Sequence, residues 1–373
     1  MKIAFIGQKG IPMKFGGVER HVEELSAQLA ENGHEVFVYV RNNYTDKNLK
    51  KYRGVNLIHL PSISTKHLDA ISHTFLATVH ALFQNYDVIH YQAIGPSSLS
   101  FLVKIFRPGI KLVATHHCQD YFHQKWNFIA RASLRLGEFV ACKVADKTIV
   151  ISESLLKQLE KRFNKKFFKI PNGFSIEADS GAEELAKFGL QKNEYILAVS
   201  RFIRHKGLQY LIEAYKELEK NNTTQGKKLV IVGDGFHTDD YVQELKNLSK
   251  DDANIILTGA QNGKVLSQLF SNAYLVVQPS ESEGLSIVIL EAMGYGKAVV
   301  ASDIEENKEP LGEHGVYFKN KNTSSLRICL ENLLNQQALV LELGEKNKER
   351  ANAEFDWREI AKKTEEVYKS IKK

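Results

Sequence analysis

YLVVQPSESEGLSIVILEAMGYGKAVVASD (274–303) reads as a strand, a loop, a helix and a second strand. YLVVQPS (274–280) and KAVVASD (297–303) are short, β-branched apolar runs, and Leu285–Met293 is an apolar helix start between them. Strands with no polar alternation are buried on both faces, and a helix joining two of them makes the pair parallel. Working outward, EYILAVS (194–200), KKLVIVGDG (227–235) and NIILTG (254–259) repeat the strand pattern with helical periods between them. An earlier series comprises KIAFIG (2–7), EVFVYVR (35–41), VNLIHL (55–60), DVIHYQ (87–92) and KLVATHH (111–117). In VERHVEELSAQLAENGH (18–34), Val18, Val22, Leu25 and Leu29 step by three or four, which is one helix face, and Asn32-Gly33 is its stop. The pattern therefore runs twice. Its seam is IPNGFSIEADSGAEE (170–184), where Gly, Pro, Asn and Ser cluster without apolar period. The expected fold is α/β, with two doubly wound parallel-sheet domains at 1–173 and 174–353 and a charged helix within 354–373.

The length of 373 residues suits two cores, and 43% apolar with 25% charged residues is the composition of a globular protein. Cys118, Cys142 and Cys329 are odd in number and far apart, which fits a reducing compartment rather than a disulfide framework. MKIAFIG lacks the pattern of a signal peptide, and HTFLATVHALF (73–83) is broken by histidine and too short to span a bilayer, so the expected location is cytoplasmic. Net charge is +6 and unevenly placed. Residues 1–173 hold 24 Lys and Arg against 13 Asp and Glu, a net of +11. A basic half points to an anionic partner such as a membrane surface or phosphorylated acceptor, or to a plainly lysine-rich solvated surface. No nucleic-acid-binding pattern is present.

In open parallel sheets, ligands bind beyond the carboxyl ends of the strands, so residues just after strands are the first candidates. GQKGIPMKFGGVER (7–20) follows the first strand, and Gly16 and Gly17 open a helix whose N–H groups suit an anion; the alternative is a tight turn without a ligand. It fits neither the dinucleotide fingerprint nor a P-loop. His116 and His117 in THHCQDY (115–121) suit a hydrogen bond to a sugar hydroxyl or stabilisation of developing charge, or are satisfied core histidines. In SRFIRHKGLQYLIEA (200–214), Arg201 and Lys206 share a loop as two cations for a diphosphate. Glu283 lies in a glycine-containing loop and Glu291 in an apolar helix, where a carboxylate needs a partner or a ligand hydroxyl. No Asp-x-Asp occurs, so a metal-held donor is not expected and no cofactor is called for.

Together these motifs resemble the retaining glycosyltransferases with two Rossmann-like domains, the GT-B fold of family 4, from Lys2 to about Tyr368. SESEGLSIVILEAM (280–293) looks like that family's Glu-x7-Glu motif, SRFIRHKG (200–207) like its donor-phosphate loop, and LVIVGDG (229–235), LTG (257–259) and IPNG (170–173) also match. KGIPMKFGGVE (9–19), His117, Asp120, Lys125-Trp126 and LRLGE (134–138) are similar to a bacterial branch containing rhamnosyltransferases. Cys118 stands where that branch often has glycine, and Glu305-Glu306 where a glycine pair is frequent. The resemblance implies two domains facing a cleft, with the last helix packing back on the first. It implies a nucleotide-sugar donor, a glycan or lipid-linked acceptor, and transfer with retention and without metal. The donor would meet Gly17, Arg201, Lys206, Gly259, Glu283, Gly284, Leu285, Ser286 and Glu291, and the acceptor Gly16, His116 and Asp120. His117, Glu283, Lys206 and Arg201 would surround the reacting centre. A nucleotide-sugar 2-epimerase of the same layout and an inactive glycan-binding scaffold are the competing readings. FHQKWNFIARASLRL (122–136) mixes Phe122, Trp126, Phe128 and Ile129 with Lys125, Arg131 and Arg135, which suits an anionic membrane or an ordinary packed helix.

Overall fold

The computed structural model describes residues 1–14, 16–65, 68–118, 128–176, 181–235 and 238–371, with backbone only at 128–130. Asp120, Phe122, Lys125 and Trp126, and the side chains of Phe128 and Ile129, therefore lie outside the described residues. The chain divides into two compact units: Met1–Gly173 with Trp357–Lys373, and Phe174–Asp356.

In chain order the first unit runs β1 (Lys2–Ile6), α1 (Gly17–Glu31), β2 (Glu35–Arg41), β3 (Lys51–Tyr52), β4 (Val55–Leu60), α2 (Asp69–Leu82) and β5 (Val88–Gln92). It continues with α3 (Ile94–Ser97), α4 (Phe101–Phe106), β6 (Lys111–His116), α5 (Phe128–Phe139), β7 (Lys147–Val150), α6 (Glu153–Phe163) and β8 (Phe168–Lys169). Among the described residues these strands form one sheet, ordered β3-β4-β2-β1-β5-β6-β7-β8. All its pairings are parallel except β3 with β4. One face carries α1 through Val22, Leu25 and Leu29, packed with Ile3 and Phe5. On the other, Ala77, Ala81 and Val103 of α2 and α4 pack with Ala4, Tyr39, Ile89 and Tyr91. The order reverses between β1 and β5, which opens a crevice at their carboxyl ends.

The second unit runs β9 (Tyr195–Val199), α7 (Leu208–Lys220), β10 (Lys228–Val232), α8 (Asp239–Ser249), β11 (Ile255–Gly259), α9 (Gly263–Asn272) and β12 (Leu275–Gln278). There follow α10 (Ile287–Gly294), β13 (Val299–Ser302), α11 (Glu305–Leu311), β14 (Val316–Phe318), α12 (Thr323–Leu334) and α13 (Gln337–Glu354). Its strands pair in parallel throughout, in the order β11-β10-β9-β12-β13-β14, with the reversal between β9 and β12. Two parallel α/β units define the GT-B architecture.

The chain re-enters the first unit at Trp357 rather than at Glu354, the boundary read from the sequence. Glu354 closes α13, the Phe174 N–H donates to the Phe355 carbonyl at 3.1 Å, and Phe174 forms a parallel bridge with Asp356. Residues 354–356 are thereby held in the second unit. The final helix α14 (Trp357–Ser370) joins the core beneath α1 through Trp357, Ile360, Ala361 and Tyr368. The Tyr368 hydroxyl bonds His90 Nδ1 at 2.7 Å, and Lys111 Nζ donates to the Tyr368 carbonyl at 2.8 Å.

Candidate active site

In the second unit, the loops that follow β9 and β12 flank the reversal point. Gly207, at φ 70°, comes so close to the β12 loop that an added Cβ would lie 2.0 Å from the Pro279 carbonyl oxygen. The Glu281 N–H also donates to the His205 carbonyl at 2.8 Å. This approach brings Lys206 and Glu283 together: Lys206 Nζ donates to Glu283 Oε1 at 2.5 Å, with side chains 15% and 9% exposed. Gln278, the last residue of β12, donates from Nε2 to the same oxygen at 2.7 Å and to Ser280 Oγ at 2.8 Å. Burial alone would push the Glu283 carboxyl up; the Lys206 ammonium, followed by Ser280 and His205, overrides it and holds the group below the usual carboxylate range. Glu283 is thus an anion at neutral pH, and Lys206 keeps further N–H groups for a second anion.

The other expected donor residues are more dispersed. Arg201 is exposed just past β9 and its guanidinium takes no partner among the described residues. Gly284 is half-buried, Leu285 buried, and Ser286 caps α10 by accepting from the Ile289 N–H at 3.4 Å. The cap is therefore Ser286, and Glu283 is free of that duty. Glu291 lies half-buried on α10, on the side of Ile287 and Val288, while Ile289, Leu290, Ala292 and Met293 are buried. Gly259 ends the edge strand β11, separated from the β9–β12 crevice by β10, and its carbonyl accepts the Gly233 N–H at 3.0 Å. Gln278 and Ser280 were not singled out from the sequence; a polar side chain closing an otherwise apolar strand is the signal that marks Gln278.

In the first unit, Gly16 (φ 110°) precedes α1 and Gly17 is its exposed first residue. The preceding loop is tied down by α1 itself. Glu19 Oε1 accepts the Lys9 N–H at 3.0 Å, Glu23 accepts the Met13 N–H, and the Tyr44 hydroxyl accepts the Lys14 N–H at 2.7 Å. The Glu19 carboxylate sits beside Gly16, where an added Cβ would be 2.1 Å from Oε2. An anion at this helix start would meet that negative charge.

His116 and His117 diverge because neighbours at a strand end point to opposite faces. His117 turns toward α1. Its Nε2 lies 2.8 Å from Gln92 Oε1, and its ring meets His21 edge-on at 4.9 Å between centroids. Burial, then His21, His116 and His90, push the His117 imidazole well below its ordinary range. His117 is therefore neutral, with one ring nitrogen engaged by the Gln92 amide and the other left for a substrate hydroxyl. His116, expected at the acceptor, is a correction: it is fully buried, with Nε2 3.3 Å from Glu138 Oε1. Glu138 is equally buried and also pairs with Arg162.

Both units have counterparts among known proteins. Residues 15–178 match the family described as Glycosyltransferase Family 4, and residues 182–350 the family described as Glycosyl transferases group 1. With one match on each unit, the chain belongs among the group 1, family 4 glycosyltransferases. An uncharacterized glycosyltransferase of Methanocaldococcus jannaschii is 28% identical, over 99% of this chain and 98% of that protein. The alpha-monoglucosyldiacylglycerol synthase of Streptococcus pneumoniae is 26% identical, over 76% of this chain and 67% of that protein. Among solved structures, Anabaena HepE in complex with UDP-glucose superposes with a TM-score of 0.82 at 20% identity, covering 99% and 100% of the two chains.

Proposed function

We propose that this chain transfers a hexose or deoxyhexose, with retention of anomeric configuration, from a nucleoside-diphosphate sugar to a glycan or lipid-linked acceptor in bacterial surface-polysaccharide synthesis. The observation that carries the reading is the Lys206–Glu283 pair at the β9–β12 reversal, the place where a doubly wound sheet binds its ligand. Lys206 and Arg201 suit the diphosphate, and Glu283 with the Gly284 and Leu285 N–H groups suits the hydroxyls of the donor sugar. Glu291 suits the ribose hydroxyls, and Ser286 lies beside them in sequence. In the first unit, neutral His117 suits a hydrogen bond to a substrate hydroxyl, whereas the Glu19 carboxylate beside Gly16 speaks against a phosphate at Gly17. The departing phosphate takes the acceptor proton at the front face, so no enzyme nucleophile is needed. The rhamnosyltransferase-like stretch at 9–19 favours a deoxyhexose. The lipid-linked form of the acceptor places the enzyme in the cytoplasm at a membrane surface. Among the described residues no helix is long and apolar enough to cross a membrane.

Thermal unfolding with UDP-, GDP- and dTDP-sugars tests the donor, since only a bound ligand raises the midpoint by mass action. Acceptor-dependent release of nucleoside diphosphate then separates a transferase from an epimerase, and failure of every donor would leave the scaffold reading. Transfer is also expected to persist in chelator. The loop after β9 holds Arg201, Arg204 and Lys206, of which Arg204 is paired with Glu244, and among the described residues no three His, Cys, Asp or Glu side chains group as a metal site requires. Activity lost in chelator and restored by magnesium would overturn the metal-free part.

A further inference from the structure

Helices α2 and α4 of the first unit are built inside out. The residues of α2 that face the sheet are small or polar: His73, Thr74, Ala77, Thr78 and Ala81. Their hydroxyls are satisfied within the unit, Thr78 Oγ1 with the Tyr91 hydroxyl at 2.7 Å and Thr74 Oγ1 with the Ala70 carbonyl at 2.7 Å. The large apolar side chains point outward instead. Phe75 and Leu76 are exposed on α2, Phe83 just past its end is 80% exposed, and Ile105 and Phe106 on α4 are 64% and 63% exposed. The two helix ends are bound to each other, because Arg107 donates to the Leu82 carbonyl at 2.5 Å and to Asn85 Oδ1 at 3.3 Å. The five side chains make a patch on the order of 500 Å², at the upper end of what a monomer leaves to water.

We propose that this face seats the enzyme on an anionic lipid bilayer; the inference deepens the lipid-linked acceptor reading and rests on it. Charge selects the bilayer. From Ala70 to Ile110 the only acid is Asp87, whose carboxylate accepts the Lys2 N–H at 2.8 Å; on the α4 side Lys104 is paired with Asp146 at 2.5 Å, which leaves Arg107 as the cation beside the apolar side chains. Asp69, at the start of α2, is already paired with Arg41 at 2.6 Å. Residues 1–173 are strongly basic as a whole, so a two-fold contact with a second copy would set like charges against each other. Phenylalanine and isoleucine on a strongly basic unit are what an interfacial surface presents to acyl chains and lipid phosphates.

The test is sedimentation of the full chain with phosphatidylcholine vesicles, with and without phosphatidylglycerol. Wild type is expected to bind the anionic vesicles, less so at high salt. Phe83→Ser and Phe106→Ser are each expected to weaken binding by roughly tenfold. Leu341→Ser, which removes an equally exposed apolar side chain from the second unit, is expected to change nothing. Absence of vesicle binding, or wild-type binding by both phenylalanine variants, overturns the proposal. So does a lipid-free dimer that Phe83→Ser makes monomeric. Transfer to a water-soluble acceptor should survive in all three variants, so a failed vesicle assay stays distinct from a failed transferase reading.

Discussion

Glu283→Ala is expected to lower turnover by about 10²-fold or more, with the second unit still folded. The carboxylate lies in the loop after β12 rather than in the core, so its loss opens no large cavity. It does remove the anion that Lys206 and Gln278 hold in place at the crevice. Lys206→Ala is expected to reduce turnover to a similar degree, for a second reason. It strands a largely buried carboxylate with only neutral donors, and such a stranded charge also costs stability. A lower melting temperature should therefore accompany Lys206→Ala more than Glu283→Ala. A purely structural role for the pair predicts something different. Exchanging the two, Lys206→Glu with Glu283→Lys, would then restore both stability and rate. If each group instead meets its own part of the donor, the exchange recovers stability without recovering transfer. Initial rates with saturating acceptor, alongside thermal melts, decide the matter. A near-wild-type rate for Glu283→Ala would remove the assignment.

The fold was legible because a doubly wound sheet writes itself in apolar runs. EVFVYVR and VNLIHL coincide with β2 and β4, and the stretch at 274–303 with β12, α10 and β13. What was missed is short or masked by neighbouring apolar sequence. β3, β8 and β14 have too few residues to show a period, and β7 follows directly on the apolar stretch that ends α5. The candidate site was legible where chemistry and chain position coincide, as with a cation and a carboxylate each just after a strand. It was not legible where a side chain's direction decides. His116 and His117 are the same residue type one position apart, and only the strand pleat sends one to Glu138 and the other to Gln92. HTFLATVHALF (73–83) reads equally as a core or an interfacial helix, and only the buried side of α2 decides that Phe75 and Leu76 point outward. Gln92 and His21 escaped notice because their importance lies in what they touch.

Acid is expected to destabilise the first unit strongly, and its buried histidines are the cause. Burial, only partly offset by a bond to Asn172, pushes His21 down to about 4; burial, then the Arg41 guanidinium, pushes His73 down to about 4. His90 and His117 are lowered further, again by burial first. Each of these side chains ionises near 6.5 once the chain unfolds. Between about 4 and 6.5 the unfolded chain therefore binds more protons than the folded one, and stability falls as pH falls. The full contribution is present above 6.5 and is lost as pH drops toward the folded values. A shift of the size seen at His21 or His73 corresponds to roughly 3 kcal/mol. At pH 5 each group has given up about 2 kcal/mol of this, so two of them remove a large share of an ordinary domain's stability, and a much lower melting temperature there is the expected outcome. Trp357 packs against His21 with ring centroids 5.5 Å apart, which makes its fluorescence a local reporter. Melts at pH 7.5 and 5.0 should differ by many degrees, and His21→Gln, which has nothing to protonate, should narrow that difference. A melting temperature that stays level across this range would show that the buried imidazoles do not set the acid limit.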